Sequence, residues 1–383
     1  MRKIIVIGAG FAGLSAAARL SGMVPDAEVS IFDKKETVDF LPLLPDIIGR
    51  QLAPEFVSSP VKNILSRRKI KFVREEVSSV DLNSSQVFTD SRAHDYDFLL
   101  IASGSQTNFF SDAKAQSQAY ALNSVNDAKG IMEALRKERF ENFIVCGGGY
   151  TGIEAAGSLW LFCRRNGISA RVFIVERSPG ILGALPLWMK DYIARNLNTM
   201  GIEVLSNSVI EDIQGTRVKV SGGRVFEKAM LIWVPGVRTA DYIQKLEVKK
   251  NPQGRIIVDE YLRFRQNCFC AGDTALFEAG GVPLGDVPLR MAVQFSIAEG
   301  ALAADNIIRS LKGKKLKKFI PQDLGFIIPM ANNRSCGRVF GLEIRGLLPT
   351  LLHFMMCIYR AFGLKNKIGL AAGLIRSCFA APK

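Results

Sequence analysis

"KIIVIGAGFAGLSAAARL" (residues 3–20) and "NFIVCGGGYTGIEAAGSL" (residues 142–159) are one pattern written twice. Offset by 139 residues, they match at Ile5/Ile144, Val6/Val145, Gly8/Gly147, Gly10/Gly149, Gly13/Gly152, Ala16/Ala155, Ala17/Ala156 and Leu20/Leu159. Each copy opens with a β-branched apolar run, which reads as a strand buried on both faces. A glycine turn and an alanine-rich helix follow. A second strand then closes on an acid: Glu28–Phe32 on Asp33, and Arg171–Val175 on Glu176. The chain therefore repeats a βαβ unit, and the predicted fold is α/β with two Rossmann-like domains, the second inserted in the first.

The spacing carries chemistry. In G-x-G-x-x-G the first glycine permits the tight turn and the second lets a pyrophosphate reach the backbone. The third lets helix and strand pack closely, and the helix N-terminus offers N–H donors. Gly8, Gly10 and Gly13 take these places in the first copy, and Gly147, Gly149 and Gly152 in the second. Asp33 lies 20 residues after Gly13 and Glu176 lies 24 after Gly152, where an acid accepts from ribose hydroxyls. Two complete fingerprints predict two bound dinucleotides. Such a pair suits electron transfer, a nicotinamide giving hydride and a flavin taking it. The copies differ where Ser15 in the first is matched by Glu154 in the second. A carboxyl there either offsets the helix dipole or orients a substrate and relays a proton.

The sequence of 383 residues is 48% hydrophobic and 22% charged, enough for two or three domains with real cores. No secretory leader precedes the first strand, so a reducing compartment is expected, with the seven cysteines as buried hydrophobes. The net charge of +14 is unevenly spread: from Lys312 to Lys383, 13 lysines and arginines stand against Asp323 and Glu343.

Further motifs resemble the two-dinucleotide-binding-domain flavoproteins. "CFCAGDTA" (268–275) is similar to their second flavin signature, with Asp273 at the ribityl–phosphate region. "DYDFLLIASGSQTNFF" (95–110) resembles the return to the flavin through Ala102, Ser103 and Gly104. Narrower resemblances point to the type II NADH:quinone oxidoreductases: "FLPLLPDIIG" (40–49), "SGSQTNFF" (103–110), "IWVPGVR" (232–238) and "GRIIVDEYLR" (254–263). "MAVQFSIAEG" (291–300) resembles their quinone-site helix, A-Q-x-A-x-Q. Gln294 is kept, while Val293, Ser296 and Ala298 depart from the pattern.

The resemblance implies FAD in the first cradle, with contacts at Phe11, Ala12, Lys34, Pro42, Val77, Gly272 and Val293 besides the motif residues. It implies NADH at the second, with Tyr150, Thr151 and Gly236 joining the glycines and Glu176. Glu154 and Gln294 become the catalytic candidates. The implied activity is hydride transfer from NADH to FAD and then two electrons to a membrane quinone, without ion pumping. The domains are drawn at 1–114 and 251–310 (FAD), 115–250 (NADH) and 311–383 (a basic connector and a membrane-binding segment).

Other chemistries compete for the same fold. Disulfide reduction needs a cysteine pair beside the flavin, and no cysteine precedes Cys146. A sulfide:quinone oxidoreductase could recruit Cys163 and Cys336, though it has no need of the intact second fingerprint. A slow NADH-sensing flavoprotein is the non-enzymatic alternative. No metal site is expected, and His94 and His353 read as structural. "KGKKLKK" (312–318) lacks the aromatic interleaving of a nucleic-acid surface, so no nucleic acid is expected. Its charge suits an anionic membrane surface instead.

Between Arg345 and Arg360 only 14 residues are free of formal charge, too few for a span. Two in-plane amphipathic helices are predicted, with Leu351, Leu352, Phe354, Met355 and Ile358 in lipid, followed by Ile368, Ala372, Ile375 and Phe379 at helical spacing. A helical pair packed on its own core or on a second subunit is the competing arrangement. The expected location is peripheral, on the cytoplasmic face of the cell membrane.

Overall fold

The computed structural model describes residues 1–277 and 289–379, with the side chains of Cys378 and Phe379 outside the described set. The chain forms two compact units. The first comprises Met1–Val38, Pro60–Gln106 and Val237–Gln322; the second comprises Asp39–Ser59, Thr107–Gly236 and Asp323–Lys383.

In the first unit a six-stranded sheet runs in the order Arg263–Arg265, Cys268–Cys270, Phe98–Ile101, Arg2–Ile7, Ala27–Phe32, Lys71–Val73. Arg2–Ile7 lies parallel between its neighbours, with Ile4 opposite both Val29 and Phe98. Ile4, Val6, Ile31, Leu99 and Leu100 are fully buried, as strands covered on both faces require. Helices Phe11–Leu20 and Val293–Leu311 pack so closely that a Cβ at Gly300 would overlap the Ala12 backbone.

The second unit repeats the design on a four-stranded parallel sheet: Ile202–Leu205, Arg171–Val175, Asn142–Cys146, Ala229–Trp233. Helix Tyr150–Asn166 follows its glycine turn and stops at Gly167, which takes the left-handed conformation (φ 63°) that ends helices cleanly. A three-stranded antiparallel sheet (Gly325–Ile328, Ser335–Val339, Leu342–Gly346) leads into helices Leu347–Arg360 and Leu364–Phe379.

The compact units are cut elsewhere than the boundaries drawn from sequence. Asp39–Ser59 and Asp323–Lys383 fold with the second cradle. The cause is close packing: a Cβ at Gly49 would lie 2.8 Å from Ser158 Cα, and one at Gly373 would lie 2.9 Å from a Leu52 methyl. The basic connector is held in the first unit. Asn306 bonds both the carbonyl and the N–H of Lys317, and Lys318 pairs with Glu260 at 2.9 Å.

Candidate active site: two cradles and a carboxylate slot

The two cradles share their atomic construction. Gly8 and Gly147 both take positive φ (103° and 111°), where a side chain is strained. A Cβ at Gly13 would overlap the Gly8 carbonyl, and one at Gly152 that of Gly147. Both helices begin on an extended glycine, Gly10 or Gly149, with no side-chain cap and no acid in the first turn. Their first N–H groups thus keep their donors for a ligand.

The acids are clamped alike. Asp33 accepts from Ala9 N–H (2.7 Å) and Lys35 N–H (2.8 Å). Glu176 accepts from Gly148 N–H and Ser178 N–H, each at 2.7 Å. Each carboxylate is fixed beside its turn with lone pairs to spare. Uncapped N–H groups, open space at Gly10 and Gly149, and a fixed acid fit the pyrophosphate and ribose of a dinucleotide in both units.

Around the first cradle, the second flavin motif is tied to the return segment. Ser105 donates to Asp273 (2.9 Å), Thr274 to the Gly104 carbonyl (3.0 Å), and Tyr242 to Ser103 (3.0 Å). Gly272 (φ 74°) approaches Ala12, and its N–H donates to buried Glu299 at 2.6 Å. Burial pushes Glu299 up to about 8, while the Gly272 N–H and Arg255 pull it back down. Arg255, itself buried, bonds the Asp273 and Ala275 carbonyls. Sequence reasoning missed Glu299, Arg255 and Tyr242. They stand far apart in the chain, and no local spacing links them.

Lys34 pairs with Glu76 (2.7 Å), and Val77 is buried. Val293 and Gln294 open their helix after Ala292, which provides no side-chain cap. His94 packs edge-on against Phe32.

At the second cradle, Tyr150 is partly exposed and meets Phe326 edge-to-face, and Thr151 is exposed. The Gly236 carbonyl accepts from Asn108 N–H at 3.0 Å.

Glu154 projects from the first turns of this helix into a narrow slot. Pro42, Pro45, Pro329, Met330 and Phe354 form its apolar walls, with Asp46, Arg50 and Ser158 beside them. Glu154 takes no hydrogen bond among the described residues. Desolvation first, and the Asp46 charge second, push its carboxyl up to about 8. Asp46 instead accepts from Arg50 Nε at 2.9 Å. The Arg50 guanidinium also donates to Asn333 (2.8 Å) and Ser377 (3.3 Å) and lies 4.8 Å from the Phe354 ring centre. Arg165 bonds Ser377 as well, through the carbonyl and the hydroxyl. Pro42, read from sequence as a flavin contact, lines the Glu154 slot. Asp46 lies in the quoted stretch 40–49 but was given no role there, and Arg50 and Arg165 gave no sequence signal.

Phe354 corrects another expectation. The sequence places it in the lipid-facing set, yet it walls the slot under Arg50, because its helix carries apolar residues on two faces. Cys357, Ala361, Leu370 and Leu374 are buried too, so these helices pack on the second unit and close its site. His353 is neutral, burial and Arg50 having lowered it to about 4, and it contacts Cys357 Sγ at 3.5 Å. Burial holds Cys163 and Cys336 thiols up at about 12, far from thiolate chemistry.

Among known proteins, a type II NADH:quinone oxidoreductase of Staphylococcus aureus is 27% identical over 376 residues, covering 90% of this chain and 91% of that one. The structure of NDH2 from Plasmodium falciparum in complex with NADH superposes with a TM-score of 0.87 at 16% identity, covering 100% of this chain and 99% of that chain. The sulfide:quinone oxidoreductase of Aquifex aeolicus gives 0.75 at 18% identity over 96% of this chain and 92% of that chain. At these identities the superpositions speak for the fold. No helix among the described residues is long and apolar enough to cross a membrane. The family model of pyridine nucleotide-disulphide oxidoreductases matches residues 2–300, the stretch holding both glycine cradles, their clamped acids and the Asp273 motif. This chain belongs to that family, although no disulfide is found among its described cysteines.

Proposed function

We propose that this protein is a type II NADH:quinone oxidoreductase that keeps FAD in the first cradle, admits NADH to the second and reduces a membrane quinone. The observation that carries this reading is the asymmetry of the repeat. Two cradles of one construction differ at Ser15 and Glu154, and only Glu154 opens on an apolar slot. FAD held at Gly8–Gly13, Asp33 and Asp273 supplies an acceptor for hydride that can pass electrons on in pairs or singly. The residues of the chain do the rest.

The N–H groups after Gly149 bind the NADH pyrophosphate, and Glu176 binds the adenosine ribose hydroxyls. Tyr150, Thr151 and Gly236 flank the same site. Apolar walls of Pro42, Pro45, Pro329 and Met330 suit a quinone ring and keep water from it. Glu154, holding its proton, gives it to a quinone oxygen as two electrons arrive. The hydrogen carried by the hydride accounts for the second proton and solvent reprotonates Glu154, so NADH, one proton and quinone become NAD⁺ and quinol. Gln294 is the catalytic candidate of the first unit, an amide at the start of the Val293–Leu311 helix. No step moves an ion across a membrane. The sulfide alternative, which would work through Cys163 and Cys336, is disfavoured by the burial of both thiols.

The C-terminal helices expose Leu347, Leu348, Leu351, Met355, Met356, Tyr359, Leu364, Ile368 and Ile375. These residues enter the interface of an anionic membrane, with Lys365 and Arg376 at the headgroups. The protein thus sits as a peripheral protein on the cytoplasmic face, and its slot-closing helices receive a lipid-soluble substrate. A homodimer burying the same surface is the alternative, and binding of full-length protein to anionic liposomes at low salt would count against it.

The test is NADH oxidation by purified protein with and without a soluble quinone, with sulfide run in parallel. Quinone-dependent NADH oxidation is expected. Sulfide-driven quinone reduction without it would overturn the reading.

A further inference from the structure

Asp46 takes no part in the proposed proton transfer, although it shares the slot with Glu154. It sits on the helix Leu44–Gly49, at the same cavity wall as Pro42 and Pro45. Its only ion-pair partner among the described residues is Arg50, one helical turn on. Arg50 has little freedom. Asn333 and Ser377 hold its other nitrogens, and Phe354 covers its face. Ser377 is fixed in turn by Arg165, whose guanidinium also reaches the Gly49 carbonyl at 3.3 Å. The cation is therefore anchored at four points, and its one bonded carboxylate is Asp46. Glu154 accepts no bond from it.

Two carboxyls in one enclosed slot cannot both ionise cheaply, and the one with a bonded cation keeps the negative charge. We propose that Asp46 is a positioning residue for the Glu154 proton: clamped by Arg50, it is the fixed anion of the slot and keeps Glu154 as the protonated partner. Burial leaves the Asp46 carboxyl above its ordinary range, with Arg50 and Arg165 pulling against it. Its anionic form follows from the bonded guanidinium. The other ionisable groups around the slot do not take this role. His353 is neutral, and the Cys357 thiol is driven well above its ordinary range by burial and by both carboxyls. The segment bearing Pro329, Met330 and Ala331 contributes no ionisable group to the slot.

The arrangement also joins the last helix to the proton site. Ser377, 327 residues from Arg50 in sequence, is an acceptor for both arginines. Seating this helix thus sets where Arg50 points, and through Asp46 the affinity of Glu154 for its proton.

The turnover arm of the test rests on the proposed quinone reduction; the spectroscopic arm does not. Full-length, FAD-containing protein is titrated by infrared difference spectroscopy, following the protonated-carboxyl band that Glu154→Gln removes. In Asp46→Asn the midpoint of that band is expected to fall by about one pH unit or more, since a neighbouring like charge is gone. Asp46→Glu should restore it. The alkaline limb of the NADH:quinone pH profile should move the same way, while flavin bleaching by NADH keeps its rate. If Asp46→Asn does not fold, the double variant Asp46→Asn, Arg50→Met removes both charges together and should give a smaller fall, because the nearby cation is lost with the anion. A Glu154 midpoint unmoved in the folded variant would overturn the proposal. If wild-type protein lacks quinone turnover, the proposed function fails and the infrared midpoint still decides the role of Asp46.

Discussion

The two cradle helices began as one sequence pattern and now do different work. In the first, Ser15 donates to the Ile297 carbonyl at 2.8 Å and so fastens the helix to Val293–Leu311. In the second, Glu154 holds nothing; its carboxyl opens on a slot. A cradle for a resident group can spend that position on packing. In the proposed reading, a cradle whose ligand comes and goes leaves it to chemistry. The difference teaches that identical backbone geometry fixes where phosphate binds, and that one side chain on the next turn decides which chemistry the site can perform.

The strongest way to break this comparison is to damage both cradles alike. Gly13→Val and Gly152→Val each push a side chain into the preceding carbonyl. Gly13→Val should yield colourless or unfolded protein. Gly152→Val should retain FAD, while NADH bleaches it about 100-fold or more slowly, the usual effect of a misplaced substrate. Absorbance of the purified variants and stopped-flow mixing with NADH check both. Loss of FAD in Gly152→Val would show that the two sites are not separable.

The pH dependence comes next. Glu154 and Glu299 hold protons in the folded state up to about 8, against an ordinary value near 4.5. The folded state therefore binds more protons than the unfolded one between these values, and stability falls as pH rises through that window. Thermal melts at pH 5 to 8 should show a falling Tm, with a shallower slope in Glu154→Gln. An unchanged slope would remove Glu154 from the set of raised acids.

Smaller changes sharpen the contrast. Glu176→Gln cannot accept both backbone N–H groups and also lacks the charge that repels a 2′-phosphate. NADPH use should rise relative to NADH by about tenfold, the scale of one charge-assisted hydrogen bond. Steady-state rates with each nucleotide measure it. Ser15→Ala loses one neutral hydrogen bond, so it should cost about 1 kcal/mol in a denaturation curve and leave turnover as it was.

How much of this was visible in the sequence differs between the cradles and the slot. Gly8, Gly13, Gly147 and Gly152 stand at fixed short spacings because steric overlap admits nothing else, so the repeat and both acids were legible. The clamping of Asp33 and Glu176 by backbone N–H groups was not, since main-chain donors leave no mark on residue identity. Glu154 stood out only because a second copy offered Ser15 for comparison. Asp46, Arg50, Asn333 and Ser377 meet across hundreds of residues, and no local period announces such a meeting. The C-terminal helices were legible as amphipathic at Leu351 and Met355. Phe354 was misjudged because apolar residues facing a slot and apolar residues facing outward share one composition.

The central claim is that Glu154 serves the quinone side of the reaction while the cradle beneath it serves NADH. Stopped-flow mixing separates the two halves in one experiment: NADH first bleaches the flavin anaerobically, then soluble quinone restores its colour. Glu154→Gln should bleach at the wild-type rate and recover about 100-fold more slowly, the range of a lost general acid. Recovery at the wild-type rate, or bleaching slowed as much as recovery, would contradict it.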